Sequence, residues 1–218
     1  MSNCKPCDTP VAEGENLSRE ICPNIFEEIH EIFKVPYSSA VGSLMYAMMC
    51  TRPDICYVVG LVSRYQSNPG GRHWSAVKRI LRYLKGTTDF LCYQGNDLTL
   101  MGYTDADWGG DLDERKSTSG YAFLLNGGCV SWRSKKQTCV SLSTMEAKFV
   151  ACASAVQEGV WLRRFLDHLG IVSSPVGAVT VYLDNQSATD YTKDPKYHGK
   201  TKYINTKYNF IRDIIEKK

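Results

Sequence analysis

The chain has 218 residues, of which 43% are hydrophobic and 22% are charged, and a formal net charge of +3. These values are typical of a folded soluble protein with a real core. The net charge is too small to attract polyanions by itself, so any such affinity must come from local groups of Lys and Arg.

The first 35 residues form a predicted lead-in segment rich in Pro, Asp, Glu, Ser and Asn. Their first twenty residues are polar and lack an apolar core, which predicts a protein without a secretory signal. We therefore expect a cytoplasmic location, with the nucleus as the alternative. Apolar residues over 25–33 predict one short amphipathic helix in this segment.

Residues 36–88 have a strongly helical pattern, with apolar side chains at helical spacing and breaks at 51–54 and 68–71. Their most apolar stretch, 41–62, contains Arg52 and Asp54, so we expect no transmembrane helix and no membrane partner. The third predicted helix, 72–85, carries a basic stripe that is either a solvated face or a phosphate contact. The stripe consists of Lys78, Arg82 and Lys85.

After residue 88 the spacing of apolar residues changes from a helical period to one that is typical of short strands. Strands are predicted at 90–93, 98–103, 121–125, 129–133 and 179–183, and helices at 143–169, from 185, and at 202–216. Successive strands joined by short turns favour an antiparallel meander, and the later strand after a helix predicts an α/β fold with a mixed sheet.

Nine cysteines, an odd number, are scattered along the chain, and most should be free thiols in a cytosolic protein. Cys4 and Cys7 have the spacing of half a zinc site. No second pair follows at a finger-like distance, so we do not expect zinc.

Two predicted strands end in aspartate, at Asp105 in YTDAD and at Asp184 in YLDNQSA. Carboxylates that converge at one edge of a sheet can hold Mg²⁺, and two such ions can promote hydrolysis of a phosphodiester. Aspartate at a strand end is also a common turn former and helix N-cap. The spacing alone leaves both interpretations open.

The chain resembles the C-terminal part of a Copia-type (Ty1/copia) LTR-retrotransposon Pol polyprotein. The resemblance rests on the ordered segments TRPDICYVVGLVSRYQSNPGG, GYTDADWGGDLDERKSTSGYAF, SLSTMEAKFVA and YLDNQSA. It implies a mostly helical reverse-transcriptase tail (thumb or connection) at 36–88 and a ribonuclease H-like mixed sheet with flanking helices at 89–218. The paired-aspartate motif of the polymerase itself occurs nowhere in the sequence.

The resemblance implies hydrolysis of the RNA strand of an RNA–DNA hybrid, dependent on Mg²⁺ or Mn²⁺ and on four carboxylates. Asp105 and Asp184 match two of these, as catalytic residues and metal ligands. The helix carboxylate falls on Lys148 when aligned with the family pattern, and the last one falls on Asn205. Glu146 is the third candidate catalytic residue. It could replace the helix ligand only if the helix rotated or frayed, because residues two apart on a helix point roughly 200° away from each other.

An ammonium in place of one carboxylate and an amide in place of another should weaken the metal site by a few kcal/mol. We therefore expect a nucleic-acid-binding domain with impaired hydrolysis. An active Mg²⁺-dependent hybrid endonuclease and a domesticated scaffold for a protein partner are the alternatives. Besides the basic stripe, the residues expected to contact nucleic acid are Arg115, Lys116, Arg133, Lys135, Lys136, Lys200 and Lys202.

Overall fold

A computed structural model of the chain describes residues 4–87, 91–93, 98–170, 177–193 and 202–216. Contacts divide the chain into two units, Met1–Leu91 with Leu112–Glu114, and Cys92–Asp111 with Arg115–Lys218. The predicted segments 1–35 and 36–88 both lie in the first unit. Their assignment to a polymerase tail stays a prediction.

The first unit is helical, as the spacing of its apolar residues predicts. Its helices are α1 (Phe26–Phe33), α2 (Tyr37–Cys50), α3 (Cys56–Val62) and α4 (Gly71–Gly86), with 3-10 turns at Arg19–Ile21, Pro53–Ile55 and Ser63–Tyr65. Side chains of α2, α3 and α4 form one core, in which Val41, Val59 and Val77 are fully buried. Leu17 of the lead-in segment is buried in the same core, so that segment is part of the unit.

The second unit is built on a four-stranded sheet in the order β3-β2-β1-β4. The strands are β1 (Leu100–Asp107), β2 (Thr118–Leu125), β3 (Gly128–Lys136) and β4 (Thr180–Leu183), and the helices are α5 (Thr144–Leu169), α6 (Gln186–Lys193) and α7 (Lys202–Glu216). Strands β1, β2 and β3 form an antiparallel meander, and β4 pairs with β1 in parallel. The predicted mixed sheet with flanking helices is confirmed.

Helix α5 packs against one face of this sheet through a small apolar core. Phe123 of β2 is fully buried there with Leu100 of β1 and Leu162 of α5. Gly102 and Gly159 leave room for the Phe123 ring, since a Cβ at either position would lie 2.5 Å or 3.2 Å from its nearest atom. In a separate apolar cluster along α5, Ile211 of α7 packs with Phe149.

Several strand predictions differ from the structure: β2 begins at Thr118 rather than at 121, and β3 spans Gly128–Lys136 rather than 129–133. The two largest differences concern the end of β1 and residues 91–93. Strand β1 was expected to end at Tyr103 but continues to Asp107, because Thr104 and Ala106 extend the alternation of buried and exposed positions. Residues 91–93 form no strand; the Tyr93 hydroxyl donates to the Cys129 carbonyl oxygen at 2.9 Å instead. Phe90, at the start of that predicted strand, lies outside the described residues.

Every helix in the described ranges is too short or too polar to cross a lipid bilayer.

Candidate functional site

The two strand-end aspartates meet at one edge of the sheet. In the parallel pairing of β1 with β4, Thr104 lies opposite Leu183, so Asp105 and Asp184 each come directly after a paired position. Neighbouring strands lie roughly 4.8 Å apart, which brings the two carboxylates close together. Their side chains are 70% and 63% exposed, so both anions face solvent.

A shallow groove of about 470 Å³ leads to these carboxylates across the open face of the sheet. Gly120 and Ala122 contribute small residues to its lining. Tyr103 and Tyr182 also line it, and their rings stack with centroids 5.1 Å apart. The groove therefore combines a stacked aromatic pair with the two aspartates.

The first turns of α5 are held against the C-terminal end of β1 by small side chains and a cap. Ala106 of β1 packs against Ala147 and Ala151 of α5, and all three are buried. The Ser143 hydroxyl caps the helix by accepting a hydrogen bond from the Glu146 N–H at 3.2 Å. This close approach sets the position of Lys148 next to the sheet edge.

Gln137, which no sequence motif singles out, connects the same region by hydrogen bonds. Its buried side-chain amide donates to the Ala147 carbonyl oxygen at 2.9 Å and to the Ser119 hydroxyl at 2.8 Å, and its carbonyl oxygen accepts from Ser141 at 2.9 Å. The amide thus links β2, the loop before α5 and the first turn of α5. Such long-range partners leave no local pattern in a sequence.

The Lys148 ammonium lies between the two aspartates and binds both. Its Nζ is 2.9 Å from Asp105 Oδ1 and 2.6 Å from Asp184 Oδ2, and it also donates to Asp184 Oδ1. It therefore contacts three of the four carboxylate oxygens. The lysine side chain is only 13% exposed, in contrast to its two partners.

Two opposing effects act on the pKa of Lys148. Burial is the largest single effect and lowers the pKa, because a charged ammonium is poorly solvated there. Hydrogen bonds and charge attraction from Asp184 and Asp105 together outweigh burial and raise the pKa above its ordinary value. Lys148 is therefore a fixed positive charge at neutral pH.

The Glu146 carboxylate is used in the cap at the start of α5. Its Oε2 accepts a hydrogen bond from the backbone N–H of Leu142 at 2.8 Å, while its own N–H binds Ser143. This resembles a capping box, in which the acidic side chain reaches back over the first turn. The catalytic role expected for Glu146 stays a prediction, and the ion pairs at the sheet edge involve Asp105, Asp184 and Lys148.

The described donor set does not fit a pair of divalent ions. No group of three or more His, Cys, Asp or Glu side chains within the described ranges is arranged to hold a metal ion. The two carboxylates that converge are already bound to an ammonium, which would repel Mg²⁺ or Mn²⁺. Asn205 lies on α7, and its side chain lies outside the described part of the structure.

The basic residues predicted to contact nucleic acid in the second unit have different environments. Arg133 and Lys135 on β3 are exposed, as is Arg115, which adopts a left-handed backbone conformation with φ of 55°. Lys116 is half-buried. Lys136 pairs with the buried carboxylate of Asp111 at 2.9 Å. Of the remaining two, Lys200 lies outside the described residues, and only the backbone of Lys202 is described.

Two of the three side chains in the basic stripe of α4 form hydrogen bonds within the first unit. Arg82 donates to the Lys5 carbonyl oxygen at 2.7 Å, and the Lys85 ammonium donates to the Cys4 carbonyl oxygen at 2.9 Å. Both side chains therefore hold the backbone of the lead-in segment. Lys78, the third member of the stripe, is exposed.

No family model matches the chain. The retrovirus-related Pol polyprotein from transposon TNT 1-94 of Nicotiana tabacum is 53% identical over 217 residues, which cover 99% of this chain and 16% of that polyprotein. The secreted RxLR effector protein 161 of Plasmopara viticola is 53% identical over 134 residues, which cover 59% of this chain and 92% of that protein. Among solved structures, LC11-RNase H1, isolated from compost by a metagenomic approach, matches with a TM-score of 0.39 and 18% identity over 56% of this chain and 78% of that chain.

The sheet and its edge define an α/β protein in which a lysine neutralises a pair of strand-end carboxylates. The chain belongs to the family of retrovirus-related Pol polyproteins from Copia-type transposons, which confirms the resemblance seen in the sequence. The four-stranded mixed sheet with flanking helices that the family implies is also present in the structure. The chain spans less than a fifth of the length of the TNT 1-94 polyprotein.

Proposed function

We propose that the second unit is a ribonuclease H-like domain that binds RNA–DNA hybrid and has lost most or all of its metal-dependent hydrolysis. The observation that carries this proposal is the Lys148 ammonium, held between Asp105 and Asp184 at 2.9 and 2.6 Å. In a working site of this class, divalent ions would bind these carboxylates and activate water on the RNA strand.

The electrostatics of the sheet edge favour the ammonium over divalent ions. A metal ion would have to displace Lys148 from three carboxylate oxygens, and the lysine would then remain on the same helix as a nearby like charge. Hydrated Mg²⁺ also gives up its water reluctantly and needs negatively charged ligands to compensate. We therefore expect weak binding of single ions and no stable pair of ions.

Binding of nucleic acid is supported by exposed cations on the second unit, notably Arg133 and Lys135. Such side chains suit the phosphates of a hybrid duplex, which proteins recognise mainly by shape and backbone. Trp108 also lies at the surface, 52% exposed, with its indole N–H bound to the Ser141 carbonyl oxygen at 3.1 Å. Its fixed ring could lie against a sugar or a base.

The cleavage test uses the full chain, a labelled RNA–DNA hybrid and Mg²⁺ or Mn²⁺. We expect no appreciable cleavage by the natural sequence, and a gain of cleavage when Lys148→Glu and Asn205→Asp are combined. Adding Asp105→Asn to that double variant is the matched control and should abolish the gain. Cleavage by the natural sequence that disappears in Asp105→Asn would instead establish the active endonuclease.

The binding test measures hybrid affinity by fluorescence anisotropy over a range of salt concentrations. We expect log K to fall linearly with log salt, and the slope to become shallower by about one when Arg133 or Lys135 is replaced by methionine. Weak binding that does not respond to salt would overturn the nucleic-acid proposal and favour the protein scaffold.

A further inference from the structure

The sheet edge has an unusual distribution of exposure among its three charged side chains. Asp105 and Asp184 are 70% and 63% exposed, whereas Lys148 is 13% exposed. A surface ion pair between long, mobile side chains would leave both partners in solvent. Here most of the lysine side chain is covered by protein and the anions face outward, so the lysine reaches the carboxylate pair from its inner side.

The position of the ammonium is set by the fold around it. Ala147 and Ala151 hold α5 against Ala106, the residue next to Asp105. The Gln137 amide fixes the Ala147 carbonyl oxygen, one residue before Lys148. The lysine therefore reaches the carboxylates from a helix that is already anchored, and it loses less conformational freedom than a surface lysine would.

Parallel pairing of β1 and β4 imposes a cost that this lysine relieves. Two carboxylates on adjacent strands, roughly 4.8 Å apart, repel each other unless a cation lies between them. In a metal-dependent relative the divalent ion could supply that cation. In this chain Lys148 contacts both anions directly, with no need for an ion from solution.

We infer that Lys148 is a built-in counter-ion that makes the folding of this sheet edge independent of divalent metal ions. The inference rests on the proposed function, in which the carboxylate pair no longer serves a two-metal reaction. Lys148 thus balances the charge of the two carboxylates, as a bound metal ion would, and it also prevents a metal ion from binding there for catalysis.

The experiment compares melting temperatures in EDTA and in millimolar Mg²⁺ or Ca²⁺, using the full chain. The natural sequence should melt at the same temperature in all three conditions. Lys148→Met should melt roughly 3–6 °C lower in EDTA and regain part of that loss with either ion. Arg164→Met, which removes an exposed cation from the same helix α5, is the matched control and should behave like the natural sequence.

A double variant separates counter-ion loss from general damage to α5. In Lys148→Met with Asp184→Asn, only one of the two carboxylates remains, so the response to Mg²⁺ should disappear. If Lys148→Met does not fold, Lys148→Arg keeps the charge and should keep the melting temperature insensitive to ions. A natural sequence stabilised by Mg²⁺, or a Lys148→Met variant that responds to neither ion, would overturn the inference.

These readouts are distinct from those of the proposed function. A chain that cleaves hybrid but melts independently of Mg²⁺ would refute impaired hydrolysis and leave the structural role of the lysine intact. A chain that binds hybrid without cleavage, yet is stabilised by Mg²⁺, would refute the structural role of the lysine and leave impaired hydrolysis intact.

Discussion

The ion pair between Lys148 and Asp184 should make a measurable contribution to the free energy of unfolding. The perturbation is a double-mutant cycle made of Lys148→Met, Asp184→Asn and the combined variant. Methionine keeps most of the length of the side chain, and asparagine keeps the shape of the carboxylate, so the cycle isolates the charge interaction.

The distance between the charges gives an upper limit for the interaction. At 2.6 Å and an effective dielectric constant of about 20, Coulomb's law gives about 6 kcal/mol. Asp184 is 63% exposed, and solvent reduces fully exposed pairs to about 0.2–1 kcal/mol. Because Lys148 is mostly covered, we expect a coupling free energy of about 1–2 kcal/mol between these limits.

Urea unfolding in EDTA at low salt, followed by tryptophan fluorescence, measures this coupling. Three of the four tryptophans, at positions 108, 132 and 161, belong to the second unit, so the signal mainly reports its unfolding. Lys148→Met should destabilise more than Asp184→Asn, because it leaves two carboxylates facing each other. A coupling below about 0.5 kcal/mol, the range in which independent sites add, would refute this account.

Three further predictions concern His73, Gly102 and Glu146. Burial lowers the pKa of His73, so the unfolded chain binds more protons at this residue than the folded chain does. The free energy of unfolding should therefore fall as the pH decreases below about 6.5. Urea unfolding at pH 7.5 and pH 5.5 should show a smaller decrease in this free energy for His73→Gln than for the natural sequence. Gly102→Ala places a Cβ 2.5 Å from the buried Phe123 ring and should cost about 1–3 kcal/mol, measured by thermal melting; an unchanged melting temperature would contradict this packing. Glu146→Ala removes the bond to the Leu142 N–H and should cost about 1 kcal/mol without weakening hybrid affinity, whereas a loss of hybrid binding would place Glu146 in the binding site.

Much of the fold could be predicted from periodicity. The apolar seam of α7 gave its bounds, and the three-strand meander followed from alternation and short turns. The end of β1 was predicted too early because aspartate is a poor strand former, yet Asp105 and Asp107 lie on the exposed side of a strand whose other side is buried. Burial of the alternate residues outweighed the propensity of the aspartates.

The site was only partly predictable from the chain. The convergence of Asp105 and Asp184 follows from their positions directly after the last paired residues of β1 and β4. The meeting of Lys148 with them follows from the family pattern. The cap made by Ser143 and Glu146 had a readable signal, Ser-x-x-Glu, that the catalytic interpretation overlooked.

Other partners are not encoded locally. Arg82 reaches Lys5, which is 77 residues away in the chain, and the Gln137 amide reaches the backbone at Ala147 in the following helix. Side chains that are predicted to bind nucleic acid from their type alone, such as the basic stripe of α4, can thus form hydrogen bonds with the backbone of a distant segment instead. Only the folded structure reveals which cations are already engaged.

An ammonium between the two aspartates would let the fold survive the loss of hydrolysis that we propose. First-position purine transitions convert glutamate codons into lysine codons and aspartate codons into asparagine codons, so Lys148 and Asn205 are each a single mutational step from the family residue. A lysine at position 148 lies within ion-pair distance of two carboxylates, so we expect the replacement to carry no large folding penalty. Decay of a transposon gene at this position would therefore silence the nuclease while leaving a stable, well-formed protein available for another use.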